Sequence, residues 1–299
     1  MRHRFEYFPI RLLATLIGAL PRPLARAFCV ALGLAVYGVH SRLRRVGLRN
    51  LDIAFPGKDR REKKRILRSL FRGMGRQLAE FCLFPRYTKE NVSRVATYDG
   101  FQNFAEAVAR DKGVLLLTAH FGGWEIGSFV HSLQGYPFNI VVRPLDNKLV
   151  DAMVDRYRTR HGNRTISKQD FARALLTALR GGEVVGILMD TNMTPPQGAF
   201  VDFFGVAACT ATGMARVALH TDAAVIPAFT VWDKDLGKYK IRFDPALPLV
   251  RTGNDEADAI ANTAAFTRVI EDYARKYPEQ WLWVHRRWKT RPPGEASLY

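Results

Sequence analysis

The chain has 299 residues, 47% of them hydrophobic, enough for one sizeable α/β core with an N-terminal appendage. Its 45 basic and 28 acidic residues leave a net charge of +17, which calls for a polyanionic partner or surface: anionic membrane, acidic carrier protein or nucleic acid. Cys29, Cys82 and Cys209 lie far apart with no CxxC or metal spacing, which argues against a disulfide framework and fits a reducing compartment.

Residues 10–20 and 24–39 are apolar runs separated by Pro21-Arg22-Pro23. Each is shorter than the ~20 apolar residues a bilayer span needs. One kinked span, a helical hairpin in the interface and an ordinary buried helix pair all fit this pattern. The start, Met1-Arg2-His3-Arg4, is basic, as in a signal peptide, but no clean small-residue cleavage site follows at the expected distance. Arg42, Arg44 and Arg45 directly after the second run favour anchoring with that end on the cytoplasmic face. We therefore expect a membrane-anchoring helical segment over 1–45 and an α/β domain over 46–299.

Residues 58–84 predict a helix, with Ile66, Leu67, Leu70, Phe71, Met74, Leu78 and Phe81 as its core stripe and Pro85 as its stop. Helices are predicted at 101–109, 124–133, 147–160, 170–180, 210–220 and 257–277. Strands are predicted at 114–118, 138–142, 184–189 and 225–231, with an antiparallel edge strand at 239–243. This alternation predicts a three-layer, mixed but mostly parallel sheet with crossover helices.

TAHFGGWE, residues 118–125, is the most informative stretch. His120 follows a predicted strand, and Glu125 lies five positions on, at the start of a helix. That is the layout of a general base with an orienting carboxylate. Gly122 and Gly123 allow close backbone approach and suit N–H groups aimed at a substrate oxygen. Asp190 and Arg143 follow the ends of two further strands, so both fall on the His120 edge of a parallel sheet. Arg158 lies on the helix after Arg143, and arginines so placed suit a phosphate group. The loop 191–205 holds Phe200, Val201, Phe203 and Phe204, which suit an acyl groove, membrane insertion or plain core packing. Trp281, Trp283 and Trp288 interleave with His285, Arg286 and Arg287, a mixture that suits an interfacial belt or base stacking. We read His285 as structural. There is no G-x-S-x-G elbow and no HExxH pair.

HFGGWE, residues 120–125, resembles the H-x4-[DE] signature of the bacterial lipid A biosynthesis acyltransferases, a family related to the glycerolipid acyltransferases. NLDIAFP at 50–56, RPLDN at 143–147, GILMD at 186–190 with FVDFFG at 200–205, and YPEQWLWVHRRW at 277–288 are similar to its further blocks. Thr191 is a departure, since many relatives carry Gln or His there. The resemblance implies acyl transfer from acyl carrier protein or acyl-CoA to a hydroxyl of a lipid acceptor, at the inner membrane on its cytoplasmic side. It implies His120 as the base, Glu125 as its orienting carboxylate and Arg158 and Asp190 as supporting residues. No metal or cofactor and no nucleic acid is expected. Charge alone supports a rival reading, a basic non-catalytic protein that binds nucleic acid or anionic membrane.

Overall fold

The computed structural model describes residues 2–167 and 171–299. Four helices come first: α1 (Arg2–Ala19), α2 (Arg22–Val39), α3 (Ser41–Ala54) and α4 (Arg60–Leu83). Strands and helices then alternate through β1 (Ala96–Asp99), α5 (Phe101–Ala109), β2 (Val114–Thr118), α6 (Trp124–Leu133), β3 (Asn139–Val142), α7 (Lys148–Arg158) and β4 (Arg164–Ser167). After these come α8 (Phe171–Arg180), β5 (Val184–Leu188), β6 (Gly198–Phe203), β7 (Val206–Ala211), α9 (Gly213–Thr221), β8 (Ala224–Asp233), β9 (Lys238–Phe243) and α10 (Asp255–Lys276). The expected helix start at Asp170 lies outside the described residues.

Among the described residues, seven strands form one sheet in the order β1-β9-β8-β2-β5-β3-β4, in which β8 and β9 pair antiparallel and every other pair is parallel. Leu115 and Leu117 of β2 join a core cluster that includes Leu175 of α8, Met214 of α9 and Phe266 of α10. Their neighbours Val114 and Leu116 join a second cluster with Ile126 and Phe129 of α6. Alternate residues of one strand therefore face different helical layers, and both faces of the sheet are covered. This is the expected mixed, mostly parallel three-layer sheet. One detail differs: β9 is antiparallel to β8 as predicted, but it is not the edge, because β1 pairs along its other side.

The aromatic loop at 191–205 is largely a hairpin, and β7 takes the first residues of the helix predicted at 210–220. Its turn puts both Phe204 (φ +59°) and Gly205 (φ +77°) in the left-handed region, the signature of a type I′ turn. Phe204 tolerates this because it is held on all sides. Its N–H donates to Glu271 at 2.7 Å, and its ring packs against Phe55, Trp283 and the Arg275 guanidinium. Phe203 and Phe204 are thus core residues, and of the readings open for them, packing is the one realised.

α2 is packed on α4 rather than free-standing. A Cβ at Gly75 would lie 2.3 Å from the Cys29 carbonyl oxygen, and one at Gly33 2.4 Å from that of Phe71, so only glycine permits this helix crossing. The fully buried Glu80 of α4 accepts from Arg22 at 2.9 Å and lies 3.4 Å from Arg26, tying the start of α2 down. Among the described residues, α2 is the one helix long and apolar enough to cross a bilayer by length and composition, with mean hydropathy 1.3. The outer faces of α1 and α2 expose Phe5, Phe8, Leu12, Leu16, Leu24 and Phe28. The expected boundary at residue 45 falls inside α3.

Candidate active site

Strand register builds the site. Thr118 of β2 pairs with Leu188 of β5, so the residues two beyond each, His120 and Asp190, emerge side by side at the carboxyl edge of the sheet. The Asp190 carboxylate is buried and takes three donors. Its Oδ1 accepts from His120 Nδ1 at 2.8 Å, and its Oδ2 accepts from the His120 N–H at 3.0 Å and from Trp281 Nε1 at 2.9 Å. Burial is the largest single influence on Asp190 and raises its pKa, but the His120 charge and hydrogen bonds and Arg287 together bring it below the usual carboxylate value. Burial likewise pulls the His120 pKa down, yet Asp190 and then Glu125 outweigh it and leave that pKa raised. An ionised Asp190 keeps the proton on Nδ1. Nε2 carries the lone pair and makes no hydrogen bond among the described residues.

The imidazole's carboxylate partner is therefore Asp190 and not, as expected, Glu125. Glu125 instead forms a two-pronged pair with Arg158: Nε donates to Oε2 at 2.9 Å, and Nη2 donates to Oε1. Helix geometry explains the choice. Glu125 lies in the first turn of α6 and Arg158 in the last turn of α7, each at the helix end that favours its charge. Glu125 still acts on His120 through space, as one of the charges that raise its pKa.

The Gly-Gly pair is structural in a way the expectation missed. The Gly122 N–H donates to the Gln280 carbonyl and the Gly123 N–H to the Thr230 carbonyl, each at 2.8 Å. Neither is left for a substrate oxygen. Gly122 has φ +55°, and a Cβ on it would lie 2.0 Å from the Thr230 oxygen. The glycines are there to let the turn lie against β8.

The tryptophan-rich segment encloses this turn. Trp281, Trp283 and Trp288 are fully buried, so neither an interfacial belt nor base stacking describes them. The Leu282 N–H donates to the His120 carbonyl at 3.1 Å, and Phe121 bridges to Trp281. Buried Asn50, from the N-terminal NLDIAFP block, donates to the carbonyls of Trp283 (2.5 Å) and His285 (2.6 Å), fastening the segment. Arg287 is buried as well, and burial lowers its pKa to about 10.

His120, Glu125, Arg143, Arg158 and His285 all line one cavity of about 930 Å³. It continues beneath α6, between Leu116, Phe138, Ile140, Ile241 and Phe243, with His131 at its wall. His131 is buried, bonded through Nδ1 to the Tyr98 hydroxyl at 2.9 Å, and pushed down by burial to a pKa of about 3. Arg143 is exposed and has no ion pair or hydrogen bond among the described residues, so its charge is available to a ligand. A charged mouth with a base and an apolar interior suits an amphipathic substrate with one reactive polar end.

The family model for bacterial lipid A biosynthesis acyltransferases matches residues 4–290. The chain is 30% identical to the lipid A biosynthesis lauroyltransferase of Escherichia coli (strain K12) over 286 residues, 95% of this chain and 91% of that protein. It is 28% identical to the palmitoleoyltransferase of the same organism over 288 residues, covering 96% and 87%. To the myristoyltransferase it is 23% identical over 256 residues, covering 86% and 78%. The match runs through the α1–α4 region, the His120 turn and the tryptophan segment alike, and on it the chain is assigned to the bacterial lipid A biosynthesis acyltransferase family, as an acyltransferase.

Proposed function

We propose that this protein moves a fatty acyl chain from an acyl thioester, on acyl carrier protein or coenzyme A, to a hydroxyl of a lipid A precursor. His120 is the general base. Its Nε2 takes the hydroxyl proton as that oxygen bonds to the thioester carbonyl carbon. The tetrahedral oxyanion collapses, the C–S bond breaks, and the leaving thiolate takes the proton back from Nε2. The observation that carries this reading is the Asp190-held tautomer of His120 on the wall of the cavity. No nucleophilic side chain is needed, because the acceptor supplies the oxygen. The thioester brings an activated acyl group, so the reading calls for no cofactor.

The apolar part of the cavity takes the acyl chain, and the whole cavity, at about 930 Å³, lies within the range of small-ligand sites. Free Arg143 binds a phosphate, on the acceptor or on the pantetheine arm, and Arg158 holds Glu125 beside the imidazole. The apolar faces of α1 and α2 rest on the cytoplasmic leaflet of the inner membrane, with the protein's positive charge drawn to anionic headgroups. Replacing Phe8, Leu12 and Leu16 by serine should reduce co-sedimentation with anionic vesicles; unchanged sedimentation would remove this part of the proposal.

The activity test uses the purified full chain, acyl-carrier and acyl-CoA donors, and a lipid A precursor, with products read by mass spectrometry. The expected product is the precursor bearing one added acyl chain. Its absence with both donors would contradict the reading.

A further inference from the structure

We propose that His285 donates a hydrogen bond from Nδ1–H to the thioester carbonyl oxygen, stabilising the oxyanion that forms when the acceptor attacks. This rests on the acyl-transfer reading above and deepens it.

Attack on a thioester places negative charge on the carbonyl oxygen, and a pre-aimed donor there carries much of the rate. The obvious backbone donors are spent: the N–H groups of Gly122 and Gly123 bond to Gln280 and Thr230. The cavity's other polar side chains are mostly committed too. Arg158 gives Nε and Nη2 to Glu125, Arg216 is paired with Glu256, and Asn192 gives its side-chain amide to Thr290 at 2.9 Å.

Arg143 is uncommitted but exposed and assigned above to a phosphate; His285 is a half-buried, uncommitted side chain on the cavity wall, and its polarity is fixed. The backbone N–H of Asn192 donates to His285 Nε2 at 2.9 Å. A nitrogen that accepts a hydrogen bond carries no proton, so in the neutral ring the proton is on Nδ1. Nδ1 makes no hydrogen bond among the described residues, and the residue lines the same cavity as His120. Burial lowers the His285 pKa, which keeps the ring neutral. The two imidazoles thus have opposite polarity, His120 offering a lone pair and His285 a proton. The backbone under His285 is anchored by Asn50, so this donor is held in place before substrate arrives.

Two amides separate donor from scaffold. Asparagine puts its NH₂ near the position of Nδ1 and leaves the Asn192 N–H without a partner. Glutamine puts its amide oxygen near Nε2, keeps the Asn192 contact and removes the Nδ1 donor. If His285 acts on the oxyanion, His285→Gln loses roughly a hundredfold or more in kcat with little change in KM. His285→Asn then stays within about tenfold of wild type while melting at a lower temperature. A purely structural role gives the opposite order: His285→Asn falls furthest in both stability and rate, and His285→Gln is near normal. That order would overturn the inference. So would a hundredfold loss in Trp124→Phe with both His285 variants active, since Trp124 Nε1 also lines this cavity with no hydrogen-bond partner among the described residues. Wild-type protein is assayed alongside. If it transfers no acyl chain, the acyl-transfer reading has failed; if it transfers and only the variant order is reversed, the His285 assignment alone has failed.

Discussion

Asp190→Asn tests the geometry of the base. The carboxylate faces three donors: the His120 ring N–H, the His120 backbone N–H and the Trp281 indole N–H. An amide has only one oxygen. If that oxygen replaces Oδ2 and serves the backbone and Trp281, the NH₂ faces Nδ1, which must then accept. The ring proton moves to Nε2 and the base is lost. Turning the amide the other way keeps the productive tautomer but strands two buried donors, at about 1–3 kcal/mol each. The productive form is therefore disfavoured by about 2–6 kcal/mol, a loss in kcat of roughly thirtyfold to more than ten-thousandfold. The same swap in a Ser-His-Asp triad costs about ten-thousandfold. The assay is steady-state acyl transfer, with circular dichroism to check folding. Glu125→Gln should cost less, since Glu125 acts on the imidazole only through space. A folded Asp190→Asn enzyme within about tenfold of wild type, with Glu125→Gln more damaged, would refute the reasoning.

Protonated His120 cannot accept the hydroxyl proton, and its pKa is raised, so kcat/KM should rise with pH on a limb above the ordinary histidine value of about 6.5. Over the same limb the stabilisation from protonated His120 beside Asp190, fully present below about 6.5, is lost as pH climbs through the folded-state pKa; rising activity should accompany a falling melting temperature. An activity limb below pH ~6 would contradict the assignment. Arg143→Ala should raise KM for one substrate by roughly ten- to a hundredfold with kcat retained, as expected for a lost phosphate contact of about 1.5–3 kcal/mol; a kcat loss at constant KM would place Arg143 elsewhere in the reaction. Glu80→Ala leaves Arg22 and Arg26 largely buried beside no carboxylate, and should cost about 3–5 kcal/mol, or roughly 5–8 °C in melting temperature by calorimetry. A shift of about 1 °C or less would mean that α2 is not held by this pair.

Much of the frame is legible from residue patterns. β2, β3, β5 and β8 are short apolar runs with turn signals at their ends, and the strand–helix alternation places His120, Asp190 and Arg143 on one edge. What escapes pattern reading depends on tertiary pairing. β1 and β4 are four-residue segments with polar positions that become strands only because β9 and β3 offer partners. The β6–β7 hairpin is hidden because its type I′ turn is Phe204-Gly205 rather than Asn-Gly. At the site, the local carboxylate Glu125 is the natural choice for His120, and Asp190, seventy positions away, takes that place through the register of β2 with β5. The register was inferable once both strands were set parallel and adjacent, which the sequence does not state. The tryptophan segment reads as a surface feature because its arginines look solvated, yet Arg287 is buried with a hydrogen bond to the Cys209 carbonyl at 2.9 Å.

The most direct test of the account is the protonation of the His120 ring itself, read by nitrogen NMR of the full chain with its seven histidines labelled in the ring, the His120 signals being assigned by their loss in His120→Ala. Above its pKa, the account predicts a protonated Nδ1 and a bare Nε2 in the wild type, and the reverse in Asp190→Asn. A proton found on Nε2 in the wild-type enzyme would contradict it.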